Sequence, residues 1–504
     1  MRKKKSTLVL SVLLVLTLLL AACGNSNNTG NAKNESGSEA ADSNSESAQL
    51  TMAFINIGNM TDVAAVQEEI NKITKAKINA TVKLMPIDIA AWNQQVNLLL
   101  AGNEPLDLLV TSSFFNYSSQ VAKGQLLPLD ELLEKYGPEI KNTMAPEIYN
   151  GTKIDGKNYG VPSIRDVGAD YGMVLRKDLV DKHGIDLSKV KTFADLESVF
   201  KTIKDKEPGI SPLVQSTQTG TVSYEMYTPQ IDPLGDALGV LMLDDNDMKV
   251  TNIYETELYK NTVGLARKWY EAGYIMQDVA TTQEMGTSLV KAGKALGYMN
   301  NMKPSYEKQE SKATGHEMVG VRLTEPVIQS NGANGFMLSI PLNSQNPERA
   351  MQLMNLLYTD ADVMNLFAIG IEGKHYVKND DGTIKLPDGV TESSYVNNQW
   401  EVGNNFLTHV WQGTDTDIWE QMKAFNESAK VSPALGFSFD ATPVKTEVAA
   451  ATNVVNQYKI GLESGSLDPA LIGEFNEKLK AAGLDKIIAE KQKQLDAWKA
   501  ANGK

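Results

Sequence analysis

The chain has 504 residues, 42% of them hydrophobic and 22% charged, which is enough for two or three domains' worth of globular protein. Acids outnumber bases by 62 to 48, for a formal charge of −14. That balance excludes the basic footprint nucleic acid requires, and it argues against direct adsorption to anionic lipid headgroups.

The first 22 residues read as a secretory signal peptide. Arg2 and Lys3 to Lys5 precede an apolar stretch from about Leu8 to Leu20, and small residues follow. The stretch is shorter than the roughly 18–20 apolar residues that span a bilayer. The run Leu20-Ala21-Ala22-Cys23-Gly24 resembles the bacterial lipobox. That resemblance implies cleavage before Cys23 and transfer of a diacylglycerol to its thiol. Two acyl chains suffice for stable anchoring, so the mature chain is expected on the outer face of the cell membrane. Cys23 is the only cysteine, so no disulfide is available. Residues 23–48 are rich in Asn, Ser, Gly and Glu and lack bulky apolar side chains, the composition of a flexible tether.

The folded part is expected from about Leu50. Leu50, Met52 and Phe54 alternate with their neighbours as in a strand. Thr61 or Asp62 opens a helix with Val66, Ile70 and Ile73 on one face. Residues 80–85 form a second strand. A second helix, opened by Asp88, carries Trp92, Val96 and Leu99 and ends at Gly102. Leu106 to Thr111 is a third strand. This alternation predicts parallel βαβ units, whose ligands bind beyond the carboxyl ends of the strands. The loop there, Ser112 to Tyr117, combines polar and aromatic residues.

Asp155-Gly156 marks a hairpin turn. Tyr171 to Leu175 reads as a buried strand. Thr192 and Asp195 open a helix with Phe193, Leu196, Val199, Phe200 and Ile203 on its apolar face, stopped by Pro208-Gly209. Asn331 to Ser339 leads into a strand. Asn346-Pro347 opens a helix carrying Ala350, Leu353, Met354 and Leu357. Leu484, Ile487, Ile488, Leu495 and Trp498 form a terminal amphipathic helix.

Catalytic signatures are missing. No two of His183, His316, His375 and His409 stand at metal-ligand spacing. There is no GxSxG elbow and no phosphate-cradling loop. Asp244-Asp245-Asn246-Asp247 lacks the glycine and distal glutamate of a calcium loop. No metal or other cofactor is expected.

The ordered segments GNEPLDLLV, LLPLDELLEKYG, DGKNYGVPS and VLRKDLVDKHGIDLSKVKTFADLESVFKTIK resemble the extracellular solute-binding lipoproteins of ATP-driven importers, in their sugar-binding branch. FNESAKVSPALGFSFD, TPVKTEVAAATNVVNQYKIGLESGSLDP and LDKIIAEKQKQLDAWKA are similar to the long members that serve complex-polysaccharide importers. The resemblance covers residues 49–502. It implies an α/β fold: a two-lobed clamp, each lobe a mixed sheet flanked by helices, with discontinuous lobes and several hinge crossings. Lobe one is placed at 49–163 plus 295–345, and lobe two at 164–294 plus 346–504. The implied partners are an oligosaccharide, two permease subunits and a cytoplasmic ATPase. A clamp of this kind is expected to act as a monomer.

A pyranose offers an apolar face to aromatic rings and a rim of hydroxyls to polar side chains, so concave loops carrying both are the candidates. Phe114 and Tyr117 follow a strand. Tyr224 and Tyr227 lie in an irregular stretch. Trp411, like Trp400, lies among Asn and Gly residues. Arg165 and Asp166 follow YGVPS, where the resemblance places a crossing between lobes. Glu372 and His375 lie in the glycine-containing segment 370–376. Three alternatives stay open: a receptor for peptides or another solute, a surface glycosidase whose paired carboxylates flank a cleft, and a lipoprotein that reports ligand to a membrane sensor.

Overall fold

The structure is a computed structural model, and it describes residues 47–102, 104–216, 220–245 and 247–503. The signal peptide, the lipidation site Cys23 and all but the last two residues of the tether lie outside the described residues. In chain order the elements that matter for the site begin with β1 (Ala48–Asn56), α1 (Val63–Ile78), β2 (Ala80–Asp88), α2 (Trp92–Ala101), β3 (Leu108–Thr111) and β4 (Val161–Pro162). They continue with β5 (Asp170–Arg176), β6 (Gly297–Met302), α3 (Tyr306–Thr314), β7 (Met318–Arg322), β8 (Met337–Ser339), α4 (Pro347–Thr359) and α5 (Ala361–Ala368).

Two bodies form around separate cores. In the first, five strands lie in the order β2-β1-β3-β8-β4. β1 runs parallel to β2 and β3, as the βαβ pattern predicts, whereas β8 runs antiparallel to both β3 and β4. α1 buries Val66, Ile70 and Ile78 at its i, i+4 and i+12 positions, and Asn79 ends it in the left-handed conformation that asparagine tolerates. Phe54 meets Phe367 of α5 edge-to-face, 5.2 Å between centroids. The second body holds the antiparallel sheet β6-β5-β7. Its core gathers Phe200 and Trp269, edge-to-face at 5.0 Å.

Sheet pairing and helix faces redistribute two segments of the expected lobes. The segment 297–322 belongs to the second body, because β6 and β7 pair with the two edges of β5. α4 and α5 belong to the first, because Ala350, Leu353, Met354, Leu357, Val363 and Phe367 bury their faces in its core. The helix opened by Asn346-Pro347 forms as its pattern reads; local periodicity does not say which sheet an element covers. The helices Lys445–Glu463, Ile472–Ala481 and Leu484–Ala501 pack with the second body through Leu462, Phe475 and Ile487. Glu463, wholly buried there, accepts from Thr221 and from Tyr227 Oη at 2.9 Å, so its remote carboxylate fastens this C-terminal layer to the helix Val222–Tyr227.

Three strands of chain join the bodies, and they lie side by side. Ala169 and Val327 exchange backbone hydrogen bonds of 3.0 and 2.9 Å. Lys430 and Ser432 donate to Pro326 and Ile328 at 2.8 Å each. Asn426 clasps the first crossing: its Oδ1 accepts from Val167 and Gly168 N–H at 3.1 and 3.0 Å, and its Nδ2 donates to the Arg165 carbonyl at 2.8 Å. Asn426→Ala strips three backbone groups of their partner at once. The expected cost is about 1–3 kcal/mol, read as a lower urea midpoint with an unchanged slope.

Candidate ligand-binding site

β1, β2 and β3 end side by side, and the residues just past them leave Ile57, Ile89 and Phe114 exposed. This is the edge of an open α/β sheet where ligands bind. Ser112 accepts from the Phe114 N–H at 3.0 Å and starts a short turn that sends the Phe114 ring outward, 60% exposed. Phe336, just before β8, enters the same face. A chain of rings runs from Trp92 to Phe115, Phe336 and Trp400, with centroids 6.1, 6.4 and 4.6 Å apart; Phe114 lies 6.2 Å from Phe336. The tilted and edge-on packing is the favoured arrangement for such rings.

Trp400 is held from behind. Ser163 Oγ donates to its carbonyl at 2.8 Å. The neighbouring Glu401 is fully buried and accepts the Ile55 N–H of β1 at 3.1 Å, while Asn398 donates to the Ile55 carbonyl at 3.4 Å. Two side chains thus serve as strand partners where the pairing of β1 with β3 has ended. Burial pushes the Glu401 carboxyl well above the usual carboxylate range. On the open side, the Arg165 guanidinium lies 5.7 Å from the Trp400 ring centre.

Beside Arg165 lies a cavity of about 490 Å³. Arg165 and Asp166 supply its hinge wall. The second body supplies the rest, chiefly Gln215, Tyr298, Asn300, Lys303, Tyr306 and Glu310. Its charges are matched. Asp166 takes Arg165 Nε at 3.0 Å and Lys303 Nζ at 2.5 Å. Burial would raise the Asp166 carboxyl, but the two cations outweigh it and hold it below the ordinary range. Glu310 accepts from Tyr298 Oη and from Gln309 Nε2. Burial, then the Glu310 carboxylate, push the Tyr298 hydroxyl far above its usual value, so it stays a neutral donor. Asn300 donates to Tyr306 Oη at 2.6 Å. Gln215, 1% exposed, donates to the Met299 carbonyl at 3.2 Å and keeps its Oε1 without a partner among the described residues. The cavity therefore presents neutral or balanced hydrogen-bonding groups next to a ring platform. No group of three His, Cys, Asp or Glu able to hold a metal ion occurs among the described residues.

A second, wider groove of about 860 Å³ is lined by Trp411, Gln412, Tyr395, Asn397, Gln399 and Lys385, and by Lys312 from α3. Ile384 donates to Val410 and accepts from Gln412, both at 2.8 Å, which leaves the intervening Trp411 ring 37% exposed.

The sequence candidates separate into three sets. Arg165 and Asp166 line the cavity, Phe114 belongs to the platform and Trp411 lines the groove. The other five stand elsewhere in the structure. Tyr117 is buried and donates to the Thr152 carbonyl at 2.8 Å. Tyr227 is buried against Glu463, and Tyr224 stacks edge-on to it at 5.6 Å in the same core. His375 is buried: its Nδ1 accepts from Ile371 N–H at 2.8 Å, so Nε2 carries the proton toward Asp62, 3.2 Å away. Glu372 is exposed and pairs with Lys378 at 2.8 Å, apart from both cavities. Phe336, Tyr298, Asn300, Lys303, Tyr306 and Glu310 were not singled out. The run GYMNNMKPSY, which is β6 and the turn after it, has the polar-aromatic composition that drew attention to Phe114.

Residues 57–364 match the family model described as bacterial extracellular solute-binding protein. The chain belongs to this family. Residues 433–500 match a domain of unknown function, DUF3502, which falls on the C-terminal helical layer. A carbohydrate ABC transporter substrate-binding protein of Streptococcus pneumoniae serotype 4 is 29% identical over 98% of both chains. The polygalacturonan/rhamnogalacturonan-binding protein YtcQ of Bacillus subtilis is 25% identical, over 63% of this chain and 64% of that protein. Among solved structures, the N-glycan transport solute binding protein NgtS of Streptococcus pneumoniae superposes with a TM-score of 0.77 at 26% identity, covering 89% of this chain and 98% of that one. Its complex with Man5GlcNAc superposes at 0.63, over 90% and 98%. The fold of this solute-binding protein is thus the two-lobed clamp.

Two outcomes check the placement of these residues. Tyr117→Phe should cost about 1 kcal/mol of stability and leave solute affinity unchanged; a loss of affinity would return Tyr117 to the site. Glu225, 2% exposed on the helix Val222–Tyr227, has its carboxyl pushed up to about 8 by burial. The native state then holds a proton that the unfolded chain releases above its ordinary value. Stability should fall as pH rises between about 4.5 and 8, at up to about 1.4 kcal/mol per unit. Glu225→Gln should remove that component from the pH profile of the urea midpoint.

Proposed function

We propose that this solute-binding protein is the carbohydrate receptor of an ATP-driven importer. It takes an oligosaccharide between its lobes and presents it to a membrane permease with two subunits and a cytoplasmic ATPase. The observation that carries the reading is the cavity at the hinge. Its polar groups are neutral or charge-balanced, and it adjoins the Phe114–Phe336–Trp400 platform. Rings cover the CH face of a pyranose, and amides, phenols and carboxylates engage its hydroxyls. The carbohydrate and N-glycan assignments of the relatives agree with this.

The mechanism is binding and closure. The cavity is walled by the crossing segment and the second body, and the ring platform beside it belongs to the first, so a sugar that touches both stabilises the closed arrangement over the open one. Arg165 and Asp166 lie in a crossing segment, which couples ligand contact to the angle between lobes. No bond is made or broken. Diacylglyceryl Cys23 holds the protein at the outer membrane face, and residues 24–48 give it reach. We take the lobes to be about 47–164 with 331–411, and about 170–325 with 433–503; the protein works as a monomer.

The reading is tested by a thermal-shift panel of neutral and acidic oligosaccharides with di- and tripeptides beside them. A ligand at 100 times its Kd adds about 2.7 kcal/mol to native stability. A shift with one saccharide series, recovered unchanged by chromatography, is expected. Trp400→Ala and Phe114→Ala should each weaken that ligand about 10- to 100-fold, since an aromatic contributes about 1.5–3 kcal/mol on burial. Shifts from peptides alone would sink the carbohydrate assignment, and turnover of the sugar would replace it with an enzyme.

A further inference from the structure

The two recesses differ in charge. In the hinge cavity Arg165 and Lys303 share Asp166 as an ion-pair partner, and Glu310 accepts from Tyr298 and Gln309. In the wider groove no acidic residue stands among the lining residues, although the chain as a whole carries a charge of −14. Lys312 has no ion-pair partner among the described residues, and Lys385 has only the exposed Asp388, 3.2 Å away and three residues on. Exposed pairs of that kind contribute little. The two lysines come from opposite sides: Lys312 from α3 of the second body, Lys385 from a strand of the first. The groove adjoins the hinge cavity, because Gln399 precedes Trp400 and Gln309 precedes Lys312 on α3 by one turn.

We infer that the groove receives an anionic sugar residue of an oligosaccharide whose neutral part fills the hinge cavity. Trp411 stacks on its ring, and Lys312 and Lys385 take its acid group from the two lobes. A ligand bearing the charge therefore bridges the lobes at a second place, and closure brings the lysines toward it. This inference rests on the carbohydrate reading and adds the charge class of the ligand.

The test compares matched oligosaccharides by calorimetry at 20 and 200 mM salt: one neutral core, the same core ending in a hexuronate, and the same core ending in a sialate. The expected result is at least a tenfold tighter Kd for one acidic member, with an advantage that shrinks at the higher salt. Which acid shows the advantage identifies its source. Lys312→Met, at an exposed position, should abolish most of the advantage and leave the Kd of the neutral core unchanged; Lys385→Met should reduce it. Equal binding of neutral and acidic members overturns the inference while the carbohydrate reading stands. So does an advantage that survives both substitutions. Binding of none of the three overturns both.

Discussion

Three chain segments cross between the lobes, and they are hydrogen-bonded to one another at the crossing. Ala169 pairs with Val327, and the segment after Val327 pairs with Lys430 to Ser432. A single covalent link would let the lobes twist independently. Three links tied edge to edge leave bending about their common line as the soft motion. The site is built against that line. Arg165 and Asp166 belong to the first crossing, Phe336 closes the second, and Trp400 sits on the chain leading to the third. Arg165 and Asp166 therefore place part of the cavity wall on the crossing itself.

Electrostatics follows from the same placement. A carboxylate at a hinge would repel the acidic surfaces it joins. Asp166 is instead shared between Arg165, its neighbour in the crossing, and Lys303 of the second body. That ion triad ties the crossing to the second body, and its Arg165 lies beside the Trp400 ring of the first. Glu401 shows the complementary solution. It is buried without a cation, which raises its carboxyl above the usual range, and it accepts the backbone N–H of Ile55.

The first half of the fold was legible because its signals are local. Alternation, helix faces and glycine stops place β1 through β3, and the polar-aromatic loop at 112–117 falls at their carboxyl ends. Assignment of segments to lobes was not legible. β6 and β8 are only six and three residues long, and nothing in such a run says whether it pairs with β5 or β3. The same limit explains the site. Phe114 and Trp411 are exposed and Tyr117 and Tyr227 are buried, yet all four sit in similar sequence. Burial of a tyrosine depends on a distant acceptor, the Thr152 carbonyl in one case and Glu463 in the other. Glu463 lies 236 residues from Tyr227, outside any window that a periodicity covers.

The interleaving of the lobes has a consequence for biosynthesis. β8 lies in the interior of the first sheet, between β3 and β4, but emerges about 225 residues after β3. Until it arrives, β3 has an open edge and α4 and α5 have not yet covered the sheet. Domains usually fold as units in order of synthesis; this chain defers completion of its first sheet until about two-thirds of it exists. Contacts of such long sequence separation form slowly. A polypeptide that must be threaded through a translocation channel benefits from that delay, because its N-terminal half stays extensible while the rest is being made.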